Sequence, residues 1–83
     1  MVLTDRALID IRKIQAIAQQ IPAIKSIHRV RTRGDGLYIF LDLHVVLSPD
    51  LSLKKAHQIS HQLKEKLMRE IPQLKDIIVH LES

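Results

Sequence analysis

The segment from Leu37 to Leu47 alternates side chains more regularly than any other part of the sequence, and this pattern limits the fold. In an extended chain, successive side chains point to opposite sides. One side is wholly aliphatic and carries Leu37, Ile39, Leu41, Leu43, Val45 and Leu47. The opposite side carries Tyr38, Phe40, Asp42, His44 and Val46. The pattern therefore predicts a strand whose aliphatic face needs cover from another layer.

Two segments with helical periodicity flank this strand. The first runs from Thr4 to Ile21 and predicts a helix of about four turns, which Thr4 or Asp5 can cap. The second follows Ser52, which can cap it in the same way. A proline comes directly after each segment and ends the helix. The predicted buried stripes are Thr4, Ala7, Ile11, Ile14, Ala18 and Ile21 in the first helix, and Leu53, Ala56, Ile59, Leu63, Leu67 and Ile71 in the second.

Two further strands complete the predicted domain. The segment from Ile24 to Arg33 has no helical period and predicts an irregular or bulged strand. The run Gly34-Asp35-Gly36 predicts a tight turn after it, and Leu74 to Glu82 predicts a short closing strand. The order helix, strand, strand, helix, strand predicts a single α+β domain over residues 1–83. Its two helices are expected on one face of a three-stranded sheet.

Several kinds of chemistry are excluded by what the chain lacks. It has no cysteine, so it can form no disulfide or thiolate site, and a transition metal would have to be held by imidazole and carboxylate. It has no serine in an elbow motif and no phosphate-binding glycine loop, so we do not expect an enzyme. No apolar stretch approaches the roughly 20 residues of a membrane span, so the chain as supplied is expected to be soluble.

The formal net charge of +4 permits an acidic partner without requiring one. Arg29, Arg31 and Arg33 alternate with other side chains, so they are expected on one strand face, where they could seat an acidic group. A solvated face, or ion pairs with carboxylates of the chain, is the simpler interpretation. Sheet recognition of single-stranded RNA uses stacked aromatic side chains, and only Tyr38 and Phe40 are present, so nucleic-acid binding is a remote alternative.

Histidines are unusually frequent for a chain of 83 residues. The five are His28, His44, His57, His61 and His80. His44 lies two residues from Asp42, while His80 and Glu82 share one face of the last strand. Imidazole with carboxylate suits Zn²⁺ or a neighbouring divalent ion. A pH-sensing cluster would use the same residues, and spacing alone leaves both interpretations open.

Four runs, taken in order, carry a resemblance to a known family. They are Ile27–Gly34 with its Arg-Thr-Arg, Leu41–Val45 with Asp-Leu-His, Leu53–Ile59 with Ala-His, and Ile78–Glu82 with Val-His. Together they resemble the cytoplasmic C-terminal domain of the cation diffusion facilitators, the cation efflux (zinc/iron transporter) family. The resemblance covers nearly the whole chain. Residues 1–5 would then be the remnant of a linker from a membrane domain.

The resemblance implies a fold and a set of metal ligands. The fold is the metallochaperone-like, ferredoxin-like αββαβ sandwich, which forms homodimers and binds divalent metal near the dimer interface. The ligands of the zinc- and iron-exporting branch match His28, His44, His57, His80 and Glu82, the last replacing an aspartate of the relatives. His61 lies outside that motif and is only an auxiliary candidate. Zn²⁺ is the expected ion, with Cd²⁺, Fe²⁺, Co²⁺, Ni²⁺, Cu²⁺ and Mn²⁺ as alternatives.

The same resemblance implies a function. The chain would be the cytoplasmic regulatory domain of a zinc-type efflux transporter in an inner or plasma membrane, and metal binding to its homodimer would couple the metal level to transport. The chain lacks the family's membrane helices, so it cannot transport by itself. A freestanding soluble metal carrier or sensor with the same fold is the alternative. Neither a nucleic acid nor a small-molecule substrate is expected.

Overall fold

The computed structural model describes residues 9–34 and 37–83, which form two helices and three strands. In chain order these are α1 (Ile11–Ala18), β1 (Ile24–Gly34), β2 (Ile39–Leu47), α2 (Leu53–Glu70) and β3 (Leu74–Glu82). The predicted element order and the α+β class are confirmed. Neither helix in this part of the chain is long and apolar enough to cross a membrane.

The sheet has the order β1-β2-β3, so the strand with the regular alternation lies at its centre. β1 is antiparallel to β2, and β3 is parallel to β2. Parallel neighbours cannot be joined by a tight turn, and α2 supplies the crossover between them. The turn predicted at Gly34-Asp35-Gly36 falls partly outside the described residues.

The core lies between the helices and one face of the sheet. Leu41, Leu43 and Val45 are fully buried on the aliphatic face of β2, which confirms the predicted alternation. Leu37 was expected on this face, but it lies before β2 begins and is 76% exposed. The buried residues that the rest of the described chain adds to the core are Ile9, Ile14, Ile17, Ala18, Ile21, Leu47, Ile59, Leu63, Leu67, Ile71, Leu74 and Ile77.

α1 is shorter than the predicted first helix. It begins at Ile11, and its N-cap is Asp10, whose carboxylate Oδ1 accepts a hydrogen bond of 2.9 Å from the Arg12 amide. The predicted caps, Thr4 and Asp5, lie outside the described residues. The non-helical Ile9 and Asp10 nevertheless show that one continuous helix from Thr4 is wrong. A carboxylate that satisfies a free backbone amide favours a helix start where it stands, and the apolar period alone does not register this.

Two apolar residues of the predicted stripes are exposed. Ile11 is 39% exposed in the first turn of α1. Ile17, which is not part of the predicted stripe, is buried. Leu53 is 75% exposed at the start of α2. Both exposed residues are the first residue of their helix. The cap predicted for α2 is confirmed, because Ser52 Oγ accepts a hydrogen bond of 3.1 Å from the Lys55 amide.

A β-bulge interrupts β1 beside the centre of the sheet. His28 pairs with His44 and Arg31 with Asp42, so three steps along β1 match two steps along β2. Arg29 has a φ of 52° at this bulge, in the left-handed region that non-glycine residues seldom adopt. The irregular strand is therefore confirmed. Regular alternation would place His28 and Arg31 on opposite faces, whereas the extra residue brings them to the same face.

Candidate metal centre

Three histidines form a row across the sheet on the face opposite the helices. His44 of the central strand pairs with His28 of β1 on one side and with His80 of β3 on the other. The rings of His28 and His44 have centroids 5.4 Å apart and meet edge to face. The rings of His44 and His80 are stacked at 4.6 Å. Directly opposite positions on neighbouring strands place side chains this close together.

Two carboxylates bind to the ends of this row. Glu82 Oε1 lies 2.9 Å from His28 Nε2, and the second oxygen of Glu82 forms a short contact with His44 Nδ1. At the other end, Asp42 Oδ1 lies 2.9 Å from His80 Nε2. The imidazoles and carboxylates therefore already converge on each other. The arrangement leaves these polar groups hydrogen-bonded when no metal is bound.

These five side chains fall into two groups that could each hold an ion. One consists of His28, His44 and Glu82, and the other of Asp42, His44 and His80. Within each group the candidate ligand atoms all lie within 4.8 Å of one another. Three imidazole and carboxylate ligands with an open fourth position suit Zn²⁺ and similar divalent ions, so the residues fit such an ion. His44 belongs to both groups and links them.

The predicted ligands on α2 lie elsewhere. His57 and His61 are exposed and line an open depression on α2, with His61 Nε2 at 3.5 Å from Glu65 Oε2. In residues 9–34 and 37–83, neither belongs to a group of three metal-binding side chains. Because α2 covers the opposite face of the sheet, His57 cannot reach the histidine row of its own chain. As a ligand, His57 stays a prediction that requires a second chain.

Asp42 is the residue that sequence reasoning missed as a ligand. The sequence shows its spacing from His44, but Asp42 was considered only as one of several possible ion-pair partners of the arginines of β1. In the structure it pairs with His80 instead. The available signal was that Asp42 and His44 share one face of the central strand and that the last strand also carries a histidine, His80.

The contacts of Glu82 affect its ionisation. Hydrogen bonds from His44, and secondarily from His28, lower the pKa of Glu82 below its ordinary value of 4.5. A carboxyl whose pKa is lower in the folded state stabilises the fold above its unfolded pKa. This stabilisation is lost as the pH falls through the folded value.

We therefore expect the metal-free protein to lose stability as the pH falls below the ordinary glutamate pKa of 4.5, in part through Glu82. Glu82→Gln should flatten this part of the pH profile, because the amide does not titrate. Glu70→Gln removes the same charge at the exposed end of α2 and should leave the profile steep. Urea unfolding in the presence of a chelator, repeated across this pH range, measures the effect. Equal profiles for the two variants would contradict it.

Comparisons with known proteins agree with this fold. The family model ZT_dimer, described as the cytoplasmic domain of cation efflux proteins, matches residues 8–83. The cation-efflux pump FieF of Pectobacterium atrosepticum is 41% identical over 81 residues, covering 94% of this chain and 26% of that protein. The manganese efflux system protein MneP of Bacillus subtilis is 28% identical over 71 residues, covering 86% and 24%. The chain thus spans about a quarter of these relatives.

Solved structures show the same fold. The metal-bound C-terminal domain of the CzcD transporter from Thermotoga maritima superimposes with a TM-score of 0.83 at 24% identity, covering 87% of this chain and 84% of that one. A cadmium form of a MamM C-terminal domain variant superimposes with a TM-score of 0.80 at 19% identity, covering 87% and 90%. The metallochaperone-like sandwich expected from the sequence is therefore confirmed.

Proposed function

Since the chain belongs to the family of cytoplasmic domains of cation efflux proteins, we propose that it is the metal-sensing regulatory domain of a larger divalent-metal efflux transporter. The observation that carries this proposal is the row of three histidines across the sheet, closed at its ends by two carboxylates. The alternative of a freestanding carrier is less well supported, because the relatives are transport proteins about four times as long.

The proposed ligands are the side chains of the two groups, with Zn²⁺ as the first candidate ion. One ion would be held by His28, His44 and Glu82. The other position would be formed by Asp42, His44 and His80. A bound divalent ion would supply a positive charge that fixes imidazole and carboxylate side chains in one arrangement. In its absence, the same side chains hold one another by hydrogen bonds. Metal binding would therefore replace these hydrogen bonds by bonds to the ion, and it would need no large rearrangement within one chain.

A homodimer would allow the ion to act as a switch. Apolar side chains are exposed on the same sheet face as the histidines, with Phe40 at 40% and Ile78 at 49%, and they offer a surface for a second chain. The partner's His57 would then add a ligand to the His28, His44 and Glu82 group. An ion can shift a dimer between two arrangements only by binding one of them more tightly. Ligands divided between two chains provide this difference.

Calorimetric titration with Zn²⁺ at neutral pH, beside small-angle scattering of the metal-free and metal-saturated protein, tests the proposal. We expect a Kd of about 1 µM or lower, which is about −8 kcal/mol of binding free energy. We also expect a dimer with a smaller radius of gyration once metal is bound. Failure to bind zinc would contradict metal sensing. Binding with an unchanged dimer envelope would contradict the regulatory switch and leave a metal-binding domain.

A further inference from the structure

A cavity of about 390 Å³ opens beside the histidine row, on the side of β1. Its lining combines metal-binding and strongly cationic side chains: Arg29, Arg31, Asp42, His44 and His80. Asp42, His44 and His80 are one of the two candidate metal groups. The two arginines have no role in the proposed metal coordination, because a guanidinium has no lone pair to offer an ion.

The β-bulge places His28 on the same sheet face as Arg31. Arg29 occupies the left-handed position of the bulge, and Arg31 follows it opposite Asp42. In a regular strand His28 would lie on the face opposite Arg29 and Arg31, and a bulge is a common way to re-aim such a side chain. The backbone thus adopts an unfavoured conformation at the point where two positive charges lie beside a metal group.

Neither arginine forms an ion pair with a carboxylate of the described residues. Among residues 9–34 and 37–83, no ion pair or hydrogen bond engages the guanidinium of Arg29 or Arg31. The Asp42 carboxylate, which is opposite Arg31 in register, pairs with His80. The two guanidinium groups therefore bring two positive charges to the cavity.

Metal binding would unbalance the charge of this region. With neutral imidazoles, the two carboxylates Asp42 and Glu82 offset the charges of Arg29 and Arg31. A divalent ion then adds two positive charges, and no other acidic side chain belongs to the two described groups or lines the cavity. Unlike charges attract most strongly where solvent screening is weakest, so a partly enclosed cavity with an excess of positive charge favours an anion.

We propose that the cavity binds a small oxyanion of the carbonate or phosphate class when the Asp42, His44 and His80 group holds a divalent ion. One oxygen of the anion would occupy the open fourth position of that ion. Its other oxygens would accept hydrogen bonds from Arg29 and Arg31, since guanidinium forks match planar and tetrahedral oxyanions. This inference rests on the proposed metal-sensing function. It adds a second, anionic ligand, so the domain would respond to metal and oxyanion together.

Linkage gives the proposal a measurable consequence, because two ligands that stabilise each other raise each other's affinity by the same factor. Zinc affinity is measured with free Zn²⁺ set by a metal buffer, in media of equal ionic strength containing perchlorate, bicarbonate or phosphate. We expect the wild-type Kd for zinc to fall at least about tenfold in bicarbonate, in phosphate or in both, relative to perchlorate. The two oxyanion media identify which anion the cavity prefers.

The variants Arg31→Gln and Arg33→Gln separate an anion site from a general charge effect. Arg33 lies on the same strand but lines a different cavity, so Arg33→Gln should keep the full oxyanion enhancement. Arg31→Gln should lose most of it. In perchlorate, Arg31→Gln should bind zinc at least as tightly as the wild type, because one repelling charge is gone. If Arg31 only repels the metal ion, Arg31→Gln should instead tighten zinc binding equally in all three media.

Each outcome decides between the two proposals. Zinc binding that is the same in all media, or an enhancement that Arg31→Gln retains, would overturn the oxyanion site and leave metal sensing intact. If perchlorate at higher concentration raises the zinc affinity equally, the effect is ionic screening, and this result would also overturn the oxyanion site. An absence of zinc binding in every medium would overturn metal sensing and the oxyanion site together. Circular dichroism of both exposed-arginine variants checks that they fold.

Discussion

His44→Ala will lose metal binding at both groups, whereas His28→Ala and His80→Ala will each impair one. His44 is the only histidine of the described chain that belongs to both sets of convergent ligands. Its ring lies between the other two, and it is the least exposed of the three at 24%. Losing a group that merely orients a ligand costs about 10–100-fold in metal affinity, so losing this shared ligand should cost at least about 100-fold.

Calorimetry with Zn²⁺ measures the affinity and the number of ions bound, and thermal unfolding gives an independent check. Zinc at about 100 times its Kd should stabilise the wild-type fold by about 2.7 kcal/mol, and His44→Ala should show almost none of this. His61→Ala is the matched control, because it removes an exposed imidazole that belongs to neither group. If His44→Ala and His61→Ala bind zinc equally well, the histidine row is not the metal site.

Leu63→Ala will be among the most damaging single substitutions for stability. Leu63 is fully buried on the face of α2 that packs on the sheet. Shortening a buried leucine removes apolar contacts and leaves a cavity, which costs about 2–5 kcal/mol. A domain of this size has few kcal/mol to spare, so the variant should be partly unfolded at moderate temperature.

Leu53→Ala provides the comparison in the same helix with the same chemical change. Leu53 is 75% exposed, so its truncation should change the free energy of unfolding by no more than about 0.5 kcal/mol. Urea unfolding of the two variants, in the presence of a chelator, measures both values without a contribution from metal. Equal losses would show that the start of α2 packs on the core as closely as its middle.

These two leucines also mark how far the periodicity of the sequence can predict burial. The spacing of three and four correctly identifies the side of α2 that contacts the sheet, because the helix period fixes which residues share a face. It cannot tell where along the helix the contact begins. Leu53 belongs to the predicted stripe but is 75% exposed, whereas Leu63 is fully buried.

The candidate site, like the pattern of burial, was predicted from the sequence only in part. His44, His80 and Glu82 lie on strands with regular alternation, so their faces follow directly from their positions in the chain. The family resemblance added His28 and His57. The structure joins His28 to the row and leaves His57 on the far side of its own sheet, where it remains a predicted ligand. Asp42 was overlooked because its partner, His80, is close only across two paired strands.

Local sequence patterns were enough to predict the element order, the buried face of the central strand, the Ser52 cap and the exclusion of thiolate chemistry. These features depend on local period, capping chemistry and composition, which are properties of neighbouring residues. The register of the three strands and the bulge at Arg29 depend on contacts between distant segments and are seen in the folded chain alone. An extra residue reverses the faces of the residues beyond it, so the bulge at Arg29 places His28 beside His44 and on the same face as Arg31.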